Sequence, residues 1–187
     1  MQQIILASQS PRRKQLLEWA EIDFVVKVSD TDETFPPGLS FSDAAIYIAK
    51  NKAKTIAATE TASSIIIAAD TIVVHNNCIL GKPSDIAEAK KFLSLLSGSA
   101  HEVITAVVIL KGEKEISFAD TTKVQFHPLT KEQINFYAEK YQPLDKAGAY
   151  AIQEWIGVVG IKSIEGDFYN VMGLPVSRVV EALNRLG

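Results

Sequence analysis

The chain has 187 residues, of which 47% are hydrophobic, enough to fill the core of one large domain or two small lobes. A net charge of −3 argues against a general binder of nucleic acid or another polyanion, which would be basic. The single cysteine, Cys78, cannot form an intrachain disulfide and suits a reducing cytoplasm, and the N-terminus lacks the basic-then-apolar pattern of a signal peptide or membrane span.

In chain order, Ile4–Leu6 read as a short strand that feeds directly into a helix. Ser10 is placed to cap that helix, Pro11 suits its first position, and Leu16, Leu17 and Ala20 recur at helical spacing. Arg12 and Arg13 fall in its first turn, where the helix dipole favours acidic residues. They therefore read either as a solvated first turn or as cations gathered around an anion. Residues 24–29, "FVVKVS", predict a strand, 30–34 an acidic loop, and 35–40, "FPPGLS", a breaker, with Ser42 as a cap for the next helix. That helix carries Ala45, Ile48, Ala49, Ala53 and Ile56 on one face.

The apolar run over 63–77 ends in Asn-Asn, as expected of a strand buried on both faces that enters a hairpin. "GKPSD" (81–85) leads to a helix ending at Gly98, and strands follow at 102–110 and 123–126 around the turn 111–114. Thr130 and Gln133 have capping-box spacing. Residues 145–153 are glycine-punctuated and resist assignment, 155–166 read as strand, and 174–186 as the final helix. Alternating helices and strands indicate α/β, and tight turns between successive strands indicate a mixed sheet. No linker separates independent domains, so 1–187 reads as a single domain.

Asp70 interrupts "IIIAADTIVV". It either faces water at a bend or edge, or is buried and requires a cation, a metal or several donors. Lys52 lies inside the apolar helix face, whereas Lys50 and Lys54 lie opposite it. It either snorkels out along its stem or meets an anion. Lys82 sits on the Gly-Lys-Pro turn and Glu33 in the acidic loop, and each is equally consistent with ordinary surface. His75, His101 and His127 have no metal-ligand spacing and do not form a triad with Cys78. The phosphate loop and the dinucleotide fingerprint are both missing. Any nucleotide site must therefore combine a helix start, cations and carboxylates, a set suited to metal-assisted phosphoryl chemistry.

Taken together, "LASQSPRRKQLL", "AADTIVV", "LGKP", "LSGSAHEVITAV", "DKAGAYAIQ" and "GDFYNVMGLPVSRV" resemble the Maf family of nucleoside triphosphate pyrophosphatases, in order, from residue 4 to the end. The resemblance implies an inosine-triphosphatase-like α/β fold: a curved mixed sheet with flanking helices and two lobes around a cleft. It implies hydrolysis of a nucleoside triphosphate to monophosphate and pyrophosphate, with a divalent cation (magnesium or manganese), in the cytoplasm and as a homodimer. No nucleic-acid or membrane partner is expected. The family's catalytic carboxylate falls on Asp70, its phosphate-handling cations on Arg13, Lys52 and Lys82 with Ser8 beside them, and Glu33 on a position that helps hold metal or water. Arg12, Thr71 and Gln153 match the positions that distinguish the dTTP/UTP subgroup. Where the family often continues with a glycine-rich stretch after this glutamine, the chain has "EWIGVVG". The rival readings are a nucleotide-binding regulator of cell division with little catalysis, and a phosphotransferase, for which the phosphate loop is missing.

Overall fold

The computed structural model describes residues 3–28 and 31–186. Among these, seven strands form one sheet in the order β2-β1-β3-β5-β6-β7, with β4 paired to β3. The strands are β1 (Ile4–Leu6), β2 (Val25–Val26), β3 (Ile65–His75), β4 (Cys78–Leu80), β5 (Ala100–Lys111), β6 (Lys114–Phe126) and β7 (Ile161–Glu165). β1 runs parallel to β2 and β3, whereas the β3–β4 and β6–β7 pairs are antiparallel, so the sheet is mixed as expected. By its internal contacts the chain divides into two compact units.

The first unit contains the described residues up to Asp70, Thr105–Asp120, and the chain from Gly173 onward. Its helices are α1 (Pro11–Trp19), α2 (Phe41–Ala57) and α7 (Val176–Leu186). Ser10 caps α1 by accepting from the Arg13 amide, with Pro11 at the first helical position. The cap of α2 is Ser40 rather than Ser42: its hydroxyl accepts from the Asp43 amide, and the helix starts two residues earlier than the sequence suggested. Ala45, Ile48, Ala49, Ala53 and Ile56 are all buried, as their spacing required. Ile5, Leu6, Leu16, Leu17, Ile67 and Ile109 are completely or almost completely enclosed, which places this core around β1, β3 and β5.

The second unit contains Thr71–Ile104 and Thr121–Met172. Its helices are α3 (Ile86–Leu96), α4 (Lys131–Tyr141), α5 (Trp155–Gly160) and α6 (Phe168–Met172). α3 packs on α4 and on a short 3-10 turn, Ala147–Ala149, with Leu93, Leu96, Tyr137, Phe126 and Ile156 in the core. Asn76 and Asn77 both take positive φ and close the β3–β4 hairpin, and Thr130 with Gln133 forms the expected reciprocal capping box.

Three further expectations needed correction. The strand expected over 24–29 contracts to Val25–Val26, with Ser29 outside the described residues. The strand expected at 123–126 begins at Lys114, directly after the turn. Residues 155–160 form a helical turn instead of strand, because Ile156 and Gly160 are the buried pair, four residues apart, and the Gly157 amide bonds back to the Glu154 carbonyl. The short helix α6 carried no clear signal within "GDFYNVMG".

Candidate active site

Asp70 is the last residue of β3 that belongs to the first unit, and it is 8% exposed within an otherwise apolar strand. Lys52 answers it. The lysine leaves the apolar face of α2, and its Nζ lies 2.7 Å from Asp70 Oδ1 and 2.7 Å from Glu33 Oε1. Its side chain is 13% exposed, Glu33's 48%, so the triad runs from an enclosed carboxylate through an enclosed ammonium to a half-exposed carboxylate. Both alternatives left open by the sequence are thereby decided: Asp70 is buried with a cation, and Lys52 meets an anion. Lys50, on the opposite face, pairs with Glu115 on the surface.

Burial raises the pKa of Asp70, and Lys52 and then Arg13 oppose that rise. Arg13 shows the converse. Burial lowers its pKa, while Asp70 and Glu33 favour the charged form and Arg12 disfavours it. Arg13 is held rigidly: its Nε donates to the Gly173 carbonyl at 2.8 Å, and a terminal nitrogen donates to Ser8 Oγ at 3.2 Å. The Ser8 hydroxyl also accepts from the Ser10 amide, so the residues preceding α1 and the arginine inside it share one anchor.

The first unit thus brings together Ser8, Arg12, Arg13, Glu33, Lys52 and Asp70. Thr71, Lys82 and Gln153 belong to the second unit. Lys82 and Gln153 are exposed and Thr71 is half-buried. Within that unit, the Gly148 amide donates to the Gly81 carbonyl at 3.1 Å, which ties the Lys82 loop to the turn preceding Gln153. Sequence reasoning missed Tyr137, Lys146 and Glu154, which interact around this segment. Their signal was faint, consisting of a lysine in an unassigned stretch, a glutamate just after it and a tyrosine on an ordinary amphipathic helix.

Among the described residues, no three His, Cys, Asp or Glu side chains converge as a metal site. The available donor set is the carboxylate pair Asp70 and Glu33, drawn to one ammonium. Such a pair fits a hard divalent cation that takes its remaining ligands from water and from phosphate oxygens. Also among the described residues, no helix is long and apolar enough to cross a membrane.

This mixed α/β chain, with a buried aspartate on its third strand paired to a lysine of α2, has a fold similar to that of a HAM1 protein from Coxiella burnetii. The TM-score is 0.51 and the identity 16%, over 99% of this chain and 100% of that one. The chain belongs to the Maf-like protein family, whose model matches residues 3–186. It is 53% identical to a dTTP/UTP pyrophosphatase of Cytophaga hutchinsonii, over 98% of this chain and 84% of that protein. It is 45% identical to the dTTP/UTP pyrophosphatase of Parabacteroides distasonis, over 96% and 94% of the two chains. With that of Bacteroides thetaiotaomicron it shares 44%, over 98% and 96%.

Proposed function

We propose that the chain is a nucleoside triphosphate pyrophosphatase that hydrolyses dTTP and UTP, with modified pyrimidine triphosphates as further substrates, and so cleans the nucleotide pool. The observation that carries this reading is the buried Asp70–Lys52 pair with Glu33 at its outer side, in a chain aligned almost end to end with relatives of that name.

Water attacks the α-phosphorus, the bond to the bridging oxygen between the α- and β-phosphates breaks, and pyrophosphate leaves with the electron pair. Asp70 takes the proton of the attacking water or orients that water. Burial raises its pKa toward the range useful to a general base, and Lys52 and Arg13 limit the rise. Arg13, Lys52 and Lys82 stabilise the charge that develops on the leaving pyrophosphate. Asp70 and Glu33 would hold the divalent cation, magnesium or manganese, which when bound neutralises phosphate charge and acidifies water. Ser8 orients Arg13.

Arg12, Thr71 and Gln153 read the base. The Gln153 amide offers both a donor and an acceptor, complementary to the O4 and N3–H edge of uracil or thymine, and Arg12 donors favour a carbonyl over an amino group. We place the enzyme in the cytoplasm as a homodimer, acting on free nucleotides rather than nucleic acid. The regulatory reading is not favoured, because the relatives it matches are named for turnover.

The test is a panel of canonical and modified triphosphates, each with magnesium and with manganese, with identification of the products. Turnover of dTTP and UTP well ahead of CTP, ATP and 7-methyl-GTP, giving monophosphate, is expected. Tight binding of these nucleotides without turnover under either metal would restore the regulatory reading.

A further inference from the structure

Gln153 is exposed, yet the backbone on both sides of it is fixed. Tyr137 reaches this segment from α4 and is completely buried. Its hydroxyl accepts a hydrogen bond from the Ala151 amide at 3.1 Å and donates one to Glu154 Oε2. The other Glu154 oxygen lies 3.5 Å from Nζ of Lys146, a lysine only 7% exposed whose ammonium also pairs with Asp145 at 2.8 Å. The Glu154 amide donates back to the Ala151 carbonyl at 3.1 Å, closing a four-residue turn with Gln153 as its third member. Beyond it, the Glu154 carbonyl accepts from the Gly157 amide at 2.9 Å and begins α5. Gly157 itself leaves no room for a side chain, since a Cβ there would lie 1.7 Å from the Ile152 carbonyl oxygen.

A buried phenol, a buried ammonium and a carboxylate form an expensive polar set to enclose, and it is tolerated when every member is satisfied. Its common effect is to hold Ala151 and Glu154, the residues that bracket Gln153 in the turn. We propose that Tyr137, Lys146 and Glu154 are positioning residues that fix the presentation of Gln153 and thereby set base selectivity. The proposal rests on the reading that Gln153 faces the base. An amide free to turn over satisfies cytosine as well as uracil, because rotation exchanges its donor and acceptor. A glutamine on a fixed turn has fewer ways to present the wrong edge.

The experiment compares kcat/KM for UTP and CTP in Tyr137→Phe, Gln153→Ala and the double variant, with melting temperature and amide exchange over 151–157 recorded for each. Tyr137→Phe removes one oxygen and keeps the ring. It is expected to lower the UTP:CTP ratio about five- to tenfold, the effect of one lost positioning hydrogen bond. The double variant should be no less selective than Gln153→Ala alone, because the network acts through that side chain. Glu154→Gln, which keeps an acceptor for Tyr137, should retain more selectivity than Glu154→Ala. If Gln153→Ala erodes the ratio while Tyr137→Phe loses only melting temperature or amide protection, the network is structural and the proposal is overturned, with the base reading intact. An unchanged ratio in Gln153→Ala would instead remove the base reading, and the proposal with it. Additive losses in the double variant would also overturn it, since the phenol would then act by another route.

Discussion

His101 offers the most direct quantitative test of the second unit's packing. It is 2% exposed, stacked on Phe126 at 5.6 Å and set edge-on to Tyr150 at 5.4 Å. Its Nε2 pairs with the Tyr150 hydroxyl at 2.7 Å, and among the described residues its Nδ1 has no hydrogen-bond partner. An imidazolium needs an acceptor at both nitrogens, and Nδ1 lacks one among the described residues, so the charged form is disfavoured here. Burial, and secondarily the nearby His75, holds the pKa down from 6.5 to about 3. The folded state therefore binds fewer protons than the unfolded chain between these values, and stability rises with pH across that window. The contribution is fully present above pH 6.5 and is lost progressively as pH falls toward about 3. At about 1.4 kcal/mol per tenfold change in proton concentration, the full window corresponds to roughly 5 kcal/mol, and the step from pH 6.5 to 5 to about 2 kcal/mol. Urea unfolding at half-unit pH steps measures that slope above the range where most carboxylates titrate. His101→Phe paired with Tyr150→Phe keeps the ring packing, removes the titrating group and leaves no orphaned hydroxyl, so its profile should be flatter by about 2 kcal/mol over the same step. A wild-type profile already flat from pH 6.5 to 5, or an equal slope in the double variant, would refute the reasoning.

The remaining outcomes concern the candidate active site. Asp70→Asn keeps shape and an oxygen toward Lys52 but loses charge and basicity, and kcat should fall by about 10²–10⁴ with the circular dichroism spectrum unchanged; near-normal turnover at saturating metal would remove Asp70 from the chemistry. Lys52→Met strips the nearest cation from a buried carboxylate and should cost about 3 kcal/mol in chemical denaturation, and adding Asp70→Asn should recover most of that stability without recovering turnover. Lys50→Met breaks only a surface pair with Glu115 and should leave stability within about 0.5 kcal/mol and activity unchanged, so equal effects from the two lysines would reject the assigned role of Lys52. Phosphorus NMR of a dTTP digest should show pyrophosphate and the monophosphate as first products; orthophosphate with dTDP would move the attack to the γ-phosphorus.

The parts of the fold legible in the sequence are those where local rules and burial agree. Ser10 and Pro11, the Thr130–Gln133 box, the Asn76–Asn77 turn and the apolar face of α2 are each specified within a few residues, and each is found. Residues 161–165 form the strand expected of them, whereas 155–160 misled for a physical reason. The β-branched and aromatic residues suggest strand, but the start of α5 is set by Gly157 lying directly against the Ile152 carbonyl, a contact that no local propensity encodes. The same limit hid the positioning network, because Tyr137 and Glu154 are 17 residues apart and meet only when α4 packs against the segment that follows the 3-10 turn.

For the site, charge out of place was the informative signal: an aspartate in an apolar strand and a lysine on an apolar helix face, and the two are bonded to each other. The two adjacent arginines at the start of α1 were harder to separate, since both break the same dipole preference. The structure shows how Arg13 is attached. Arg13 is bound through Nε to the Gly173 carbonyl and through a terminal nitrogen to Ser8, which joins two segments 160 residues apart in the chain. Its guanidinium is thus held in one orientation within the first unit, and the field of Asp70 favours keeping it charged against the cost of burial. A lysine could supply the charge at this place but not the planar fork that fixes its direction. The arginine therefore serves as a tie between the two ends of the first unit as well as a cation, and the two roles follow from one geometry.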